Sequence, residues 1–383
     1  MKAGTTFILS LTAIITLAAG SAFGKYSGGT GEPNDPYQIS DVNDLLVLAA
    51  DANDYVKFFI LTADVNMEGQ VFTTAIIAAG GGTAFTGTFD GNGHTIANLT
   101  IDTAGADNCY LGLFGYIGSG GYVKNLGVEG VNITGGYSSQ YLGGLVGYNN
   151  YGNITDCYAT GSVTGGYGSW HLGGLVGQNN GGNIIDCYAT GSVSGGYNSG
   201  GSGGLVGDNY QGGSISNCYA TGVVSGHDDY LGGLVGYNDG GSSSISNCYS
   251  TGTVSGGGGG WVGGLVGRNN GSITNCYSTG AVSASQDVGG LLGGNYGSVI
   301  SSFWDTQTSG QPTSAGGTGL TTAEMKTLLT FTSAGWNFVE IWGIGENQTY
   351  PYLRTEPAGD LNHDKKVDFE DFAILASHWL EEV

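Results

Sequence analysis

Five oxygen-bearing side chains near the end of the chain, Asp360, Asn362, Asp364, Asp368 and Asp371, occupy positions 1, 3, 5, 9 and 12 of one twelve-residue stretch. Calcium takes six to eight hard oxygen ligands, and this spacing wraps the donors around a single ion, with the backbone carbonyl of Lys366 at position 7 completing the set. Val367 holds the apolar eighth position, and Phe369, Phe372, Ala373, Leu375 and Trp379 supply the apolar side chains of a following helix. Lys365 stands at the sharp sixth position, where glycine is usual, at a cost of about 1 kcal/mol of left-handed strain. The chemistry predicted here is calcium binding, not catalysis.

A second set recurs through the middle of the chain. Tyr158, Tyr188, Tyr219, Tyr249 and Tyr277 each follow a cysteine, in the column Cys157, Cys187, Cys218, Cys248 and Cys276. Outward tyrosines in a column form either a platform for sugar rings or a partner, or a stabilising ladder covered by loops. The residue before each cysteine gives another column, Asp156, Asp186, Asn217, Asn247 and Asn275. Asp156 and Asp186 would stack about 5 Å apart, compatible with the paired carboxylates of a glycosidase. Their alternation with Asn fits a ladder at a turn better. His171 reads as a surface loop residue, as does His227-Asp228-Asp229. Arg268, which reads as a turn residue, is the only Lys or Arg between Asn125 and Ala323. No triad, phosphate loop, CxxC pair or HExxH motif occurs, so no catalytic residue is assigned.

A repeat positions these columns. Gly-Gly-Leu-Val-Gly recurs with its leucine at 145, 175, 205, 234 and 265, in steps of 30, 30, 29 and 31 residues. A weaker copy follows as Gly289-Gly290-Leu291-Leu292-Gly293, with Phe303-Trp304 in the place of Cys-Tyr. Self-similarity at such a period means a stacked architecture. The apolar residues lie in short runs between Gly, Asn and Ser rather than at helical spacing, which predicts strands and turns. Cys157, Ala159, Gly161 and Val163 share one strand parity and face inward, whereas Tyr158, Thr160, Ser162 and Thr164 face outward. Three short strands per coil are expected, making an all-β, right-handed parallel β-helix. One coil buries a Leu, an Ile, a Cys, a Val and an Ala. At about 1.5–3 kcal/mol per large apolar side chain this cannot offset the ordering of a whole coil, so stability comes from stacking. The cysteine column is expected to hold free thiols, because parallel Cβ vectors one coil apart bridge poorly.

Composition narrows the partners. The formal net charge is −22, from 31 acidic against 9 basic residues, and 77 residues are Gly. Such a cation-poor surface cannot neutralise phosphates, which excludes nucleic acid. Lys2, the uncharged run from Phe7 to Gly20 and the small residues around Ala22-Phe23-Gly24 predict a signal peptide over 1–24. No other segment is long and apolar enough to span a bilayer, so the mature chain is expected to be secreted or held at a cell surface.

The flanks differ from the repeats. Residues 25–105 are read as an N-terminal cap and first coils, with a helix opening at Asp41 and Asp90-Gly91-Asn92-Gly93 as a hairpin-like turn. The repeats proper fill 106–305. Residues 306–356 are read as a C-terminal cap, with a helix from Thr321 to Leu329 and aromatic strands over 336–342 and 350–353. Residues 357–383 carry the calcium loop and an EF-hand-like helix.

The Gly-Leu-Val-Gly cores at 144–147, 174–177, 204–207, 233–236 and 264–267, with Cys-Tyr at a fixed distance, resemble the GLUG motif family. That resemblance implies a large exported bacterial surface protein of adhesin-like type, with the pectin-lyase-like solenoid as its architecture. GLUG repeats also occur outside the catalytic parts of IgA-cleaving zinc proteases, but with no HExxH here that activity does not carry over. Residues 360–371 resemble one calcium-binding repeat of dockerin domains, which implies calcium as cofactor and a cohesin-like partner, although a cohesin-binding dockerin has two such repeats. Two functional readings follow. One is a non-enzymatic adhesion or structural module for a carbohydrate or cell-surface ligand. The other is a polysaccharide hydrolase or lyase carried by a dockerin-like tail.

Overall fold

The computed structural model describes residues 24–354, apart from 228 and 259, together with 369, 372 and 373. Its strands form four parallel sheets of ten, sixteen, six and seven strands, in which each strand pairs with its equivalent one coil later. The result is a parallel β-helix. Among the described residues one pair of strands is antiparallel, Trp342–Gly343 with Tyr352–Leu353.

One coil shows how the repeat folds. Its strands are Trp170–Gly173, Val176–Asn180, Asn183–Ile185, Tyr188–Ala189 and Ser192–Ser194. That is five strands on four sides, where three were expected. One of the two extra strands arises because the expected third strand is divided into Tyr188–Ala189 and Ser192–Ser194; the other, Trp170–Gly173, leads into the Gly-Gly-Leu core through a stretch whose polar and glycine-rich character reads as loop. A parallel ladder needs only backbone groups, so poor side-chain propensity there does not prevent pairing. At the corner after this strand, a Cβ on Gly173 would lie 1.9 Å from the Val176 carbonyl oxygen, so only glycine fits.

Inward positions stack like on like. Ile154, Ile184, Ile215, Ile245 and Ile273 pair in register and are at most 1% exposed. Towards the N-terminal end the same ladder continues through Val123, Phe89 and Phe59, so larger rings fill the coils that the first cap closes. The five cysteines line another inner column as buried free thiols. Each backbone N–H from Cys157 to Cys248 donates to the sulfur one coil on, at 3.4 Å. Burial pushes the Cys157, Cys218 and Cys276 thiols well above their ordinary pKa.

A column absent from the sequence reading runs beside them. Asn149, Asn179, Asn209, Asn238 and Asn269 stack in register with no exposed surface. Each amide donates to the next carboxamide oxygen at 2.7–2.9 Å. This is the buried amide ladder of the fold. The Asp156 column forms a second, looser one at an outer corner, where Asp156, Asp186, Asn217, Asn247 and Asn275 share φ of 52–54°. Asn217 Nδ2 donates to Asp186 Oδ1 at 3.1 Å there.

Both ends are covered. Helix Val42–Ala50 closes the first coil, with Asp41 accepting from the backbone N–H groups of Asn43 and Asp44 and with Leu45 and Leu48 buried. Asp90–Gly93 is a corner between parallel strands rather than a hairpin, because Thr88–Asp90 and Thr95–Ala97 both pair in parallel with the next coil. At the other end the expected helix from Thr321 divides into a 3-10 turn, Glu324–Lys326, and a helix, Leu328–Ser333. Phe303, Met325, Phe331, Trp336 and Trp342 form a separate apolar cluster over the last coil, with Tyr277 inside it. No helix among the described residues is long and apolar enough to cross a membrane.

Candidate functional site

The predicted calcium ligands Asp360, Asn362, Asp364, Lys366, Asp368 and Asp371 lie outside the described residues, as does the predicted signal peptide up to residue 23. Among the described residues no cluster of three His, Cys, Asp or Glu side chains is placed to hold a metal.

The tyrosine column is an ordered stack. Tyr158, Tyr188, Tyr219, Tyr249 and Tyr277 follow one another with ring centroids 4.8–5.0 Å apart and planes within 8° of parallel. Their faces are therefore turned to one another along the stack, and edges and hydroxyls point outward. Tyr277 is buried beneath the C-terminal cap and donates to the Pro351 carbonyl at 2.5 Å. Tyr158 donates to Glu129 at 2.6 Å. Burial pushes Tyr219 up to about 12.

A different flank gathers the groups with unusual chemistry. On or just before the strands of the six-stranded sheet, Tyr110, Tyr141, His171, Gly201, Tyr230 and Trp261 occupy one turning position in successive coils, all at φ between 56 and 65°. Left-handed backbone costs an L-residue about 1–2 kcal/mol, and bulky residues rarely adopt it. Strain maintained in coil after coil marks a site whose surroundings hold it there. The rings stack, Tyr141 on His171 at 5.2 Å and Tyr230 on Trp261 at 5.3 Å, each pair within 6° of parallel.

Beside this column runs a second one, Tyr116, Tyr148, Gln178, Asp208, Tyr237 and Arg268. Rings meet across the two columns, Tyr141 with Tyr148 at 5.1 Å and Tyr230 with Tyr237 at 5.0 Å. The Arg268 guanidinium sits 4.8–5.9 Å from the ring centres of Tyr296, Trp261, Tyr237 and Tyr230, a four-ring cage for a cation. Arg268 lies in strand Val266–Asn269 rather than in a turn.

The most perturbed groups of the flank face each other. His171 Nδ1 lies 3.4 Å from Asp208 Oδ2, which also accepts from Gln178 Nε2 at 2.6 Å. Desolvation pushes His171 down to about 4 and Asp208 up to about 7. The contact thus joins a neutral imidazole to a carboxyl that titrates near neutrality, and is not an ion pair. Asp208 Oδ1 is buried with no hydrogen-bond partner. His171 therefore belongs to a strand and a packed polar cluster, which corrects its reading as a surface loop residue. Sequence reasoning missed the cluster because its members lie between the repeated glycines in stretches of unlike residues. The signal was present as the spacing of His171 and Asp208 relative to the neighbouring Tyr141/Tyr148 and Tyr230/Tyr237 pairs.

Comparison with known proteins agrees with this architecture. The model of the GLUG motif matches 138–164, 168–194, 198–225, 229–255 and 258–283, each segment about one coil, so the repeats are GLUG motifs. Halomucin of Haloquadratum walsbyi is 36% identical over 141 residues, 35% of this chain and 2% of that protein. A protein of Evansella cellulosilytica provisionally described as a Gly-rich membrane protein is 44% identical over 70 residues, 17% of this chain and 8% of its own length. The chain thus spans only a small part of these relatives. A crystal structure from Bacteroides ovatus, provisionally described as an immunoglobulin A1 protease, superposes with a TM-score of 0.55 at 23% identity, covering 86% of this chain and 96% of that one. That likeness concerns the fold.

Proposed function

We propose that the chain is an exported, non-enzymatic surface β-helix that binds carbohydrate or another cell-surface ligand along its aromatic flank. The observation that carries this reading is the run of rings held at strained corners from Tyr110 to Trp261. Packing alone does not call for bulky residues there, and partly exposed rings beside polar groups suit sugars and partner surfaces. The hydroxyl edges of Tyr158, Tyr188 and Tyr219 offer a second strip, since their ring faces are occupied by one another. Halomucin and the Gly-rich membrane protein, by their names, support a surface location. The loop from Asp360 to Asp371 would bind calcium and serve attachment, including to a cohesin-like partner.

A second reading, a polysaccharide hydrolase or lyase, is favoured by one observation, the His171–Asp208 contact. The two are separated by incubating the full-length mature chain with a panel of polysaccharides, with and without calcium. Retention on the polymer with no new reducing or unsaturated ends is the expected result. Cleavage that disappears in Asp208→Asn, Asp156→Ala or Asp186→Ala would overturn the binding reading in favour of the enzyme. Calcium calorimetry on wild type and Asp360→Ala tests the tail: a wild type that takes up no calcium removes it.

A further inference from the structure

We infer that the missing rung at Gly201 is a binding site for an organic ammonium group, seated on the Asp208 carboxylate between the rings of His171 and Tyr230. This deepens the ligand-binding reading of the flank and rests on it.

Three observations converge. First, the ring column is interrupted once. Tyr110, Tyr141 and His171 precede Gly201, and Tyr230 and Trp261 follow it, all at the same left-handed corner. A Cβ added at Gly201 would meet nothing nearer than 3.5 Å. The ring-bearing residues on either side are two strand spacings apart, roughly 10 Å, where consecutive rungs are separated by half that. Second, the floor of this gap is a buried carboxyl with an unsatisfied oxygen. Asp208 is 4% exposed, its Oδ1 has no partner, and Oδ2 accepts from Gln178, with His171 Nδ1 3.4 Å away and not hydrogen-bonded. A buried carboxylate without a counter-charge is costly, and a cation brought against Oδ1 supplies what the fold leaves out. Third, the same flank already houses a cation: Arg268 fills the cage of Tyr230, Tyr237, Trp261 and Tyr296. Asp208, with His171 against it and Tyr237 beside it one coil on, has no Lys or Arg partner among the described residues.

Trp170 closes the outer side. Its ring centre lies 6.2 Å from His171 and 6.3 Å from Tyr230, and its edge rests on Gly200, where a Cβ would come within 2.5 Å of it. Aromatic walls with a carboxylate at the base suit an alkylammonium or amino-sugar cation, because the rings attract the charge through their faces and the carboxylate fixes its position.

The test is calorimetric titration of the full-length mature chain with choline and with glucosamine, against their uncharged counterparts 3,3-dimethyl-1-butanol and N-acetylglucosamine. At least one cation should bind tenfold or more tightly than its neutral counterpart. Preference for choline assigns a quaternary headgroup, and preference for glucosamine an amino sugar. Asp208→Asn keeps the shape and should abolish the preference. Gly201→Tyr restores a ring at a corner where Tyr141 and Tyr230 already hold φ of 61°, and should block both cations by tenfold or more. Circular dichroism checks that each variant is folded, and Asp208→Asn alone decides the matter if Gly201→Tyr is not. Equal binding of charged and neutral probes, no binding of either cation, or unchanged binding in the variants overturns the inference. Retention on the neutral polysaccharides of the panel is measured on the same samples. If retention persists without any ammonium preference, only the Asp208 assignment falls. If retention fails as well, the flank is not a binding surface.

Discussion

Asn179 Nδ2 donates to Asn209 Oδ1 in the next coil at 2.9 Å, and to the Gly182 carbonyl of its own coil at 2.9 Å. One buried amide thus does two things at once. Its contact with Asn209 ties neighbouring coils together, and its contact with Gly182 closes the bend within a coil. Asn149 and Asn209 repeat the arrangement, with Gly152 and Gly213 as the carbonyl partners. The stacking and the shape of each coil are therefore coupled through a single side chain, where a leucine would supply burial without direction.

Replacing Asn209 by Ala tests that coupling. The change removes the donor to Gly213 and to Asn238 and the acceptor for Asn179; the Gly213 carbonyl keeps the Ser244 N–H, but the Asn238 carboxamide oxygen and one Asn179 amide hydrogen lose their partner in the buried ladder. At about 1–3 kcal/mol for each unsatisfied group, a loss of about 3 kcal/mol or more is expected. Because coils contact only their neighbours, damage at a middle coil also weakens the join between the two halves of the stack. Urea unfolding followed by circular dichroism should show a lower midpoint and a broadened or two-step transition. A variant unfolding at the wild-type midpoint would show that the ladder contributes no stability.

The cysteine column predicts a thiol count. Cys157, Cys187, Cys218, Cys248 and Cys276 are buried and free, whereas Cys109 is partly exposed. Reaction with a thiol-specific reagent in native buffer should therefore proceed quickly at one site. In denaturant all six thiols should react. Fewer than six in denaturant would mean that pairs of the column are oxidised to disulfides, contrary to the geometry of side chains projecting in parallel.

Much of the stack could be read from the chain because it depends on identity repeated in register. Leu145, Ile154, Cys157 and Tyr158 recur at nearly constant steps, and parallel pairing places each on its equivalent. The Asn149 ladder recurs just as regularly, but it lies in a polar stretch whose composition suggests a turn, and burial of an amide depends on partners that only stacking supplies. Harder still were His171 and Asp208. They sit 37 residues apart, a separation that matches no repeat step, and come together because adjacent coils bring the two columns side by side. The inner faces are uniform from coil to coil, whereas on the flank Tyr148, Gln178, Asp208, Tyr237 and Arg268 share one position in successive coils, so the repeat does not announce their chemistry.

The buried carboxyl of that flank makes stability depend on pH in a definite direction. Desolvation raises Asp208 from 3.8 in the unfolded chain to about 7 in the folded one. Between those values the folded state holds a proton that the unfolded state has released, so stability falls as pH rises. The full contribution is present below about pH 4 and is lost as pH climbs through 7. Asp208→Asn removes this penalty while keeping an oxygen for Gln178. It should unfold at the wild-type temperature near pH 4 and be the more stable protein at pH 8, by up to about 4 kcal/mol for a shift of about three units. His171, pushed down to about 4, opposes folding as pH falls below 6.5, but it does so in both proteins and cancels in the comparison. Tyr237 and Asp239 also face Asp208 and are common to both. Thermal unfolding of the pair from pH 4 to 8 gives the answer. A difference that stays constant across this range would show that Asp208 ionises at its ordinary value in the folded protein, and that the flank is wetter than its geometry implies.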